Sequence, residues 1–421
     1  MCSRSLALLP FLTLTACVSA APPPEQPARW WKGNLHTHSL WSDGDDYPEM
    51  ILDWYKASGY NFAALSDHNV LNQGERWIDL ESAGGSGVLS KYKVRFGDEW
   101  VEEREVNGTQ FVRLKTFPEY RSLFEEPGRF LVIQNEEISD QFEKKPVHVN
   151  ATNLRELIEP QGGTSVGDVM QRNVDAVLEQ RERTGQLMFP HINHPNFGWA
   201  VKVEDLIALR GEKFFEVYNG HPAVRNEGDD TRPSTERMWD ILLAERLSDD
   251  EDVMYGIAVD DSHDYHEFGR GRGRPGRGWV MVRADALDAE ALIRAMEAGD
   301  FYGSSGVTLD AISSSNESLS LTIQSEPGVK YRTQFIGTRR DYDRSRLEVP
   351  IEDEKDASVL YRYSDEIGEV LAEVQGAEPS YVFSGNEIYV RARVVSTRVK
   401  ENPYSKGEFE TAWVQPVVIT P

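Results

Sequence analysis

Short apolar runs alternate with helical patterns through the first three hundred residues of the chain. Eight apolar runs predict strands at residues 33–37, 62–65, 130–134, 147–150, 187–190, 214–218, 253–259 and 279–282. Between these runs, helical periodicity and start signals predict helices at residues 48–58, 166–184, 203–209, 234–247 and 288–298. Strands that alternate with helices are typical of βα units around a parallel sheet or barrel, so we expect an α/β fold.

Two stretches depart from this alternation. Residues 70–128 are polar, dotted with glycines and weakly periodic, which indicates an inserted long loop or small subdomain. From residue 303 to 421 short alternating segments appear instead of helical patterns, for example at 319–323, 387–394 and 411–419. This pattern predicts a small C-terminal β-sandwich after an α/β domain that spans residues 30–302.

The first residues show a pattern that is typical of a targeting segment. Arg4 precedes an apolar run over residues 6–14, which is too short to span a bilayer, and small residues then lead to Cys17. This resembles a bacterial lipoprotein signal, which predicts removal of residues 1–16, a lipid anchor at Cys17 and a Pro-rich tether over residues 17–29. A plain cleaved secretion signal is the alternative. We therefore expect an exported lipoprotein in the periplasm or at the surface of a bacterium.

The charge balance of the chain limits the choice of partners. Its 45 Lys and Arg residues face 70 Asp and Glu residues, a formal net charge of −25. Such a charge repels polyanions at long range, which argues against a nucleic-acid scaffold. A small anionic substrate would need local help from metal ions or a basic loop.

Six of the nine histidines stand beside carboxylates at the ends of predicted strands. His36 and His38 are two residues apart, so on a strand both side chains point to one face and can hold one cation. The other candidates follow in chain order: Asp43, Asp67, His68, Glu136, Glu137, His148, His191, His194, Asp260, Asp261 and His263. Since strand ends converge in barrel enzymes, we expect these residues to form one site. Imidazoles and carboxylates without cysteine suit zinc, iron or manganese.

Taken in order, these clusters resemble the ligand series of the PHP (polymerase and histidinol phosphatase) superfamily of metallohydrolases. The series is His-x-His, Ser-Asp-Gly, Ser-Asp-His-Asn, Glu-Ile-Ser, a lone His, Asn-His-Pro and Asp-x-His, and it runs from His36 to His263. One His-x-His pair is weak evidence, whereas seven elements in order are specific. The resemblance implies a distorted (β/α)7 barrel. It is closest to an exported branch with a β-rich tail that resembles carbamate-hydrolase-like PHP proteins.

The same resemblance implies three divalent metal ions, Mn²⁺, Zn²⁺ or Fe²⁺. The first would be held by His36, His38, Glu137 and Asp261, the second by Glu137, His148 and His194, and the third by Asp43, His68 and His263. The residues alone leave open Glu136 or Glu137, Asp260 or Asp261, and His191 or His194. The resemblance favours Glu137 because it precedes Ile138-Ser139, Asp261 because of its spacing to His263, and His194 because it lies in Asn-His-Pro.

A metal-activated water would be the nucleophile at such a site, so no serine or cysteine nucleophile is required. Glu137, His194 and Asp261 would take part in catalysis as metal ligands. Asp67 is expected to orient His68, and His221 and His266 are candidates for substrate contact or for surface positions. Four arginines lie in residues 270–277, and Arg277 is the strongest candidate for an anion clamp, with a solvated basic loop as the alternative.

These features favour hydrolysis of phosphomonoesters or phosphodiesters of small molecules. Hydrolysis of carbamates, esters or amides on the same scaffold is the second hypothesis. A lipoprotein that binds metal or a surface polymer without catalysis is the third.

Overall fold

A computed structural model of the protein describes residues 28–267, 269, 271–349 and 359–420. The predicted signal segment, Cys17 and the tether up to residue 27 lie outside this part of the chain. Among the described residues, no helix combines the length and the apolar character needed to cross a membrane.

The described chain contains seven α-helices and 21 strands. The helices are α1 (Pro48–Ala57), α2 (Gly85–Phe96), α3 (Phe117–Phe124), α4 (Val166–Thr184), α5 (Val203–Ala208), α6 (Thr235–Ser248) and α7 (Ala289–Glu297). The strands before α7 are β1 (Arg29–Asn34), β2 (Phe62–Leu65), β3 (Arg76–Asp79), β4 (Glu103–Val106), β5 (Thr109–Leu114), β6 (Leu131–Phe142), β7 (Lys145–Thr152), β8 (Phe189–Ile192), β9 (Phe214–Asn219), β10 (Tyr255–Val259) and β11 (Trp279–Ala284). The strands after α7 are β12 (Phe301–Ser304), β13 (Leu309–Ser314), β14 (Ser318–Ile323), β15 (Tyr331–Arg339), β16 (Arg346–Val349), β17 (Leu360–Tyr363), β18 (Glu369–Gln375), β19 (Ser380–Val382), β20 (Glu387–Val399) and β21 (Phe409–Val418).

All eight predicted strands and all five predicted helices of the α/β region form, some with different ends. Helix α4 shows why local sequence was informative. The Ser165 side chain accepts a hydrogen bond from the Asp168 N–H at its start, and Gly185 ends it in a left-handed conformation with φ 68°. The buried side chains of α4 recur at helical spacing and include Val166, Val169 and Met170, so one face of the helix packs against the sheet.

Seven strands of the α/β region follow one another in the order β10-β9-β8-β7-β6-β2-β1 within a 13-stranded sheet. Strands β1, β2 and β6 are parallel, as are β8, β9 and β10, whereas β7 runs antiparallel to both of its neighbours. The segments after β1 and β10 meet in an isolated parallel bridge between Thr37 and Ser262. A mixed α/β fold with a large central sheet is therefore confirmed, while complete closure into a seven-stranded barrel stays a prediction.

The two ends of the parallel strands differ in character. The first residues of β2, β8, β9 and β10 are aromatic, and these side chains share one buried apolar cluster with Trp31 and with Leu292 of α7. The carboxyl ends lead into polar segments that carry histidines and carboxylates. The apolar end stabilises the sheet by burial, which leaves the other end available for chemistry.

The insertion after β2 folds as a small subdomain and not as a long loop. Its strands form a separate three-stranded sheet in the order β3-β5-β4, next to α2 and α3. Val88, Tyr92 and Val112 of this insertion share an apolar cluster with Trp41 and Tyr47. Trp41 precedes Asp43 and Tyr47 follows it, so the insertion packs against both ends of the turn that carries Asp43.

The C-terminal region is β-rich, as predicted, but its main strands continue the central sheet. Strand β12 pairs with β11 on one edge and with β21 on the other, and the sheet runs on through β20, β15 and β18. A three-stranded sheet of β13, β14 and β19 packs over this extension through a shared apolar cluster. The boundary predicted at residue 303 falls inside β12, because that strand offers hydrogen-bonding groups to both halves of the chain. The β-sandwich as a separate unit stays a prediction.

Candidate metal centre

The predicted ligands lie on or just after the strands that surround the carboxyl end of the sheet. His36 and His38 follow β1, His68 follows β2, His194 follows β8, and Asp261 with His263 follows β10. Glu137 and His148 lie inside the longer strands β6 and β7. Backbone hydrogen bonds from Asp261 N–H to His36 O (2.9 Å) and from His38 N–H to Ser262 O (2.9 Å) hold the first and last segments together.

Glu137 lies at the middle of the cluster and is fully buried. Its Oε1 is 2.9 Å from His148 Nδ1 and 3.3 Å from His194 Nε2. Its Oε2 is 2.8 Å from His68 Nδ1 and 3.3 Å from His38 Nε2. One carboxylate therefore faces histidines from four separate segments, which is the arrangement expected of a bridging ligand.

The structure brings all nine predicted ligands into one connected group. Within each of four sets of residues, one nitrogen or oxygen atom per residue lies within 4.8 Å of the others. The sets are His38/Asp43/His68/His263, His36/His38/Asp261, His36/Glu137/His194 and His68/Glu137/His148. His38 and His68 thus belong to two sets each, and His148 is grouped with His68 where we predicted His194. The donors fit divalent cations, because only nitrogen and oxygen atoms converge.

The distances between like groups show where a cation would fit. His36 Nε2 and His38 Nε2 are 3.1 Å apart, and Asp261 Oδ1 lies 3.2 and 3.3 Å from them. Three buried atoms whose lone pairs point at one place repel one another, and a shared cation would offset that repulsion. His36 and His38 are fully buried, so water does not reach them easily.

The two adjacent glutamates lie in different surroundings. Glu137 faces the histidines, whereas Glu136 Oε2 accepts a hydrogen bond from the Ile158 N–H (3.1 Å) outside the cluster. Burial raises the pKa of Glu137, but the positive charges of His68, His148 and His36 outweigh it and hold that pKa well below the usual value. Burial raises the pKa of Glu136 to about 8.

The two adjacent aspartates are separated in the same way. Asp261 has a left-handed backbone with φ 48° and directs its carboxylate at His36 and His38. Asp260 instead accepts hydrogen bonds from Asn34 Nδ2, from the Tyr55 hydroxyl and from the backbone N–H groups of residues 276–278, at 2.6 to 2.9 Å. Asp260 thus fixes the following loop, and Asp261 reaches the cluster.

Glu216 is the residue that sequence reasoning missed. It is fully buried in β9, and its Oε1 lies 2.6 Å from His36 Nδ1 and 3.2 Å from His191 Nε2. Its Oε2 accepts hydrogen bonds from the His194 N–H (2.7 Å) and from Asn219 Nδ2 (2.8 Å). Burial raises the pKa of Glu216, but the charge of His36 and hydrogen bonds from His191 and His36 lower it to about 2.

This network explains how the two histidines of the Asn-His-Pro region differ. His191 pairs with Glu216, whereas His194 Nε2 faces Glu137. Because Glu216 holds His36 through Nδ1, the Nε2 of His36 remains directed at Glu137 and Asp261. A charged residue directly after two phenylalanines in the buried strand Phe214–Asn219 was the available signal for Glu216.

Asp67 does not contact His68 as we expected. Its oxygens accept hydrogen bonds from Ser39 N–H and Oγ, from Ser42 Oγ and from Asn72 Nδ2, at 2.7 to 3.0 Å. Asp67 therefore holds the turn that leads to Asp43. Asp43 is the most exposed of the nine predicted ligands, with 57% of its side chain accessible.

Two arginines of the arginine-rich loop, Arg272 and Arg277, are held by other parts of the chain, and Arg270 lies outside the described residues. Arg277 is fully buried, and its guanidinium donates to the Gly220 carbonyl (2.7 Å) and lies 3.4 Å from Asn402 Oδ1. Arg272 pairs with Asp264 and Glu267, so its charge is offset within the loop. The close fit of Arg277 against Gly220 makes it part of the support for the loops around the site.

Two aromatic residues lie at the rim of the cluster. The ring of Phe197, which is partly exposed, is centred 5.0 Å from His194 and 6.4 Å from His148. The ring of His221 is centred 5.1 Å from His263. His266 lies farther out, where its Nε2 is 3.5 Å from Asp46 Oδ2.

No family model matches this chain, and no curated protein matches it. Among solved structures, it is similar to a two-domain protein from Bacteroides vulgatus that contains a predicted PHP-like metal-dependent phosphoesterase, at 12% identity over 93% of this chain and 97% of that chain, with a TM-score of 0.39. It is also similar to a protein from Bifidobacterium adolescentis named as a candidate metal-dependent phosphoesterase, at 14% identity over 60% of this chain and 91% of that one, with a TM-score of 0.28. A third is an amidohydrolase from Chromobacterium violaceum with bound sulfate and no metal, at 12% identity over 57% of this chain and 90% of that one, with a TM-score of 0.29. At these TM-scores the similarity carries no conclusion about activity, and the case for a metal centre rests on the geometry of this chain.

Proposed function

We propose that this chain is a metal-dependent phosphoesterase. The observation that carries the proposal is the convergence of six histidines and three carboxylates, far apart in sequence, around the buried Glu137. Isolated buried carboxylates are costly unless cations pair with them. The carboxylates here face histidine rings and amide groups, so divalent cations are the partners that best fit the cluster.

The charge of the site favours an anionic substrate. Three divalent cations would exceed the negative charge of Asp43, Glu137 and Asp261, which would leave a local excess of positive charge in an otherwise acidic protein. A phosphate ester would be attracted to such a site. Bound cations would lower the pKa of water and offset the charge that develops during hydrolysis.

The side chains of the protein would orient this chemistry. His36 is held by Glu216 so that its Nε2 faces the cluster, and Asn193 Nδ2 donates to Glu137 Oε1 at 2.7 Å. Phe197 and His221 border the opening, where they would contact the leaving group. His221 is half-buried and its Nδ1 accepts a hydrogen bond from the Ala223 N–H (3.3 Å), so its Nε2 would be the atom that could pass a proton to a leaving oxygen.

Turnover and metal content of the purified full chain test this proposal. We expect hydrolysis of p-nitrophenyl phosphate or bis-p-nitrophenyl phosphate that stops with a chelator and returns with Mn²⁺ or Zn²⁺. We also expect about two to three equivalents of divalent metal per chain, because the donor sets overlap. Protein that retains no metal, or turnover that is unaffected by chelation, would contradict the proposal.

Hydrolysis of carbamates, esters or amides is the second candidate, and one observation favours it. Arg277 is buried against Gly220 and does not line the opening, whereas the apolar ring of Phe197 does. Such an opening also suits a less charged aryl substrate. Cleavage of p-nitrophenyl acetate or of an aryl carbamate, without turnover of either phosphate ester, would favour this function.

We further propose that the protein is an exported lipoprotein anchored through Cys17. The support is the apolar run that leads to Cys17 in the sequence. Labelling with palmitate in a bacterial host should modify the wild-type protein and not a Cys17→Ala variant. A labelled Cys17→Ala variant, or an unlabelled wild-type protein, would contradict this.

A further inference from the structure

A second cleft lies outside the metal centre, between α1 and the C-terminal strands. Its volume is about 520 Å³, and none of the nine candidate metal ligands lines it. The aromatic side chains on its wall are Trp54, Tyr60 and Trp279. The basic residues on its wall are Lys32, Arg274, Arg398 and Lys400, against two acids, Glu401 and Glu410. Arg398 and Lys400 are paired with Glu326 and Glu408, which lie outside this wall, so the cationic character of the cleft rests mainly on Lys32.

Lys32 is the most informative residue of this cleft. Its Nζ lies 3.9 Å from the centre of the Tyr60 ring and 4.0 Å from the centre of the Trp279 ring. In the described part of the chain its ammonium makes no hydrogen bond and no ion pair. Burial lowers the pKa of Lys32 to about 8, although the charge of Asp260 opposes this. The protein thus places a cation between two rings without supplying an anion.

Tyr60 provides an independent observation. Its side chain is 3% exposed, and its hydroxyl has no hydrogen-bond partner among the described residues. A buried hydroxyl without a partner costs free energy, so such groups are rare unless a ligand or water satisfies them. Lys32 and Tyr60 therefore both lack a polar partner on the wall of the same cleft.

We propose that this cleft binds a small organic anion with a flat, unsaturated body. The anionic group would pair with the Lys32 ammonium and accept a hydrogen bond from the Tyr60 hydroxyl. The flat body would pack against Trp54 and Trp279, whose rings form the remaining apolar wall. The position of the anionic group and the position of the flat body are next to each other, because the Lys32 ammonium lies over both the Tyr60 and the Trp279 rings.

The cleft is connected to the metal centre by a short path. Gly276 lines the cleft, and its N–H donates to Asp260 Oδ2 at 2.9 Å. Asp260 directly precedes Asp261, the candidate ligand. An anion in the cleft would therefore contact the segment that fixes the position of Asp261.

Binding of benzoate tests this proposal, with inorganic phosphate and benzamide as probes that lack the flat body or the charge. Tryptophan fluorescence and calorimetry on the purified full chain should show saturable binding of benzoate. This binding should be tighter than that of inorganic phosphate or benzamide. Lys32→Gln should weaken benzoate binding about tenfold or more, and Tyr60→Phe about three- to tenfold. His148→Ala, which alters the metal cluster, should leave the affinity for benzoate unchanged.

Tyr47→Phe is the matched control. The Tyr47 hydroxyl is also buried and has no hydrogen-bond partner among the described residues. Tyr47 packs against Tyr92 in the apolar cluster that the insertion shares with Trp41, away from the cleft. Tyr47→Phe should bind benzoate as the wild type does. The proposal is overturned if benzoate does not bind at millimolar concentration, if phosphate or benzamide binds as tightly, if His148→Ala abolishes binding, or if Lys32→Gln and Tyr60→Phe bind as the wild type does.

Discussion

The molecule buries charge in two places, and the two places are built in opposite ways. At the contact between α6 and β20, Asp240 accepts two hydrogen bonds from the Arg391 guanidinium, both at 2.7 Å, and one from the Tyr389 hydroxyl at 2.9 Å. Burial lowers the pKa of Arg391, but the charge of Asp240 outweighs it and raises that pKa above its usual value. This region is therefore neutralised by the chain itself.

The metal centre is not neutralised in this way. Glu137 and Asp261 are as deeply buried as Asp240, yet among the described residues their charged partners are histidines from several segments and not a lysine or an arginine. The difference separates a structural role from a functional one. A buried pair that is complete within the chain holds two layers together, whereas a buried group of like donors needs cations from outside.

The largest effect should follow from substitution of Glu137. Mutation of a residue that only orients a metal ligand typically lowers metal affinity or activity about 10–100-fold. Glu137 is itself a candidate ligand, so Glu137→Gln should lower kcat/KM by more than about 100-fold. Metal content should fall as well. Steady-state kinetics and metal analysis measure both effects.

Glu136→Gln is the matched control for that variant. Because burial raises the pKa of Glu136 to about 8, its carboxyl is largely protonated at neutral pH, and glutamine is a close substitute. Activity and metal content should stay near wild type. Equal losses in the two variants would break the distinction between the two glutamates.

Substitution of Asp240 at the contact between α6 and β20 should lower the free energy of unfolding and leave metal binding unchanged. Asp240→Ala leaves the Arg391 guanidinium buried without its partner, which should cost about 3–5 kcal/mol of unfolding free energy. Denaturant unfolding measures this cost, and metal content of the folded fraction should stay unchanged.

The double variant Asp240→Leu/Arg391→Met provides the control, because an apolar pair of similar size removes the uncompensated charge. It should recover most of the lost stability. If Asp240→Ala were as stable as the wild type, the interface would not depend on this pair.

Glu216→Gln should have a smaller effect on the metal centre. The amide keeps the size of the side chain but removes the charge that faces His36 Nδ1 at 2.6 Å. We expect metal affinity to fall about 10–100-fold. Titration with Zn²⁺ or Mn²⁺ in the presence of a competing chelator measures the change, and an unchanged affinity would show that Glu216 has no positioning role.

Phe197→Ala should have the smallest effect. If Phe197 borders the substrate, its loss should raise KM for an aryl phosphate about three- to tenfold and leave metal content unchanged. KM for an alkyl phosphate should change less. An equal rise of KM for both substrates would mean that the ring supports the loop and does not contact the leaving group.

The sequence predicted much of the α/β region because its signals are local. Apolar runs and helix starts such as Ser165 lie within a few residues of the elements that they define. It also predicted that histidines and carboxylates at strand ends would meet. It did not predict Glu216, because a single charged residue in a strand has no local signal for its partner. Nor did it predict the buried position of Arg277, whose partners Gly220 and Asn402 lie 57 and 125 residues away.

The sequence by itself therefore determined the alternation of strands and helices, the β-rich C-terminal region and the residue types that can hold a cation. Only the tertiary structure decided which member of each adjacent pair faces the cluster, since one backbone conformation such as that of Asp261 turns neighbouring carboxylates in different directions. It also decided that β12 joins the two halves of the chain in one sheet. The physical reason is that propensity and periodicity act over a few residues, whereas burial and charge pairing depend on residues brought together from the whole chain.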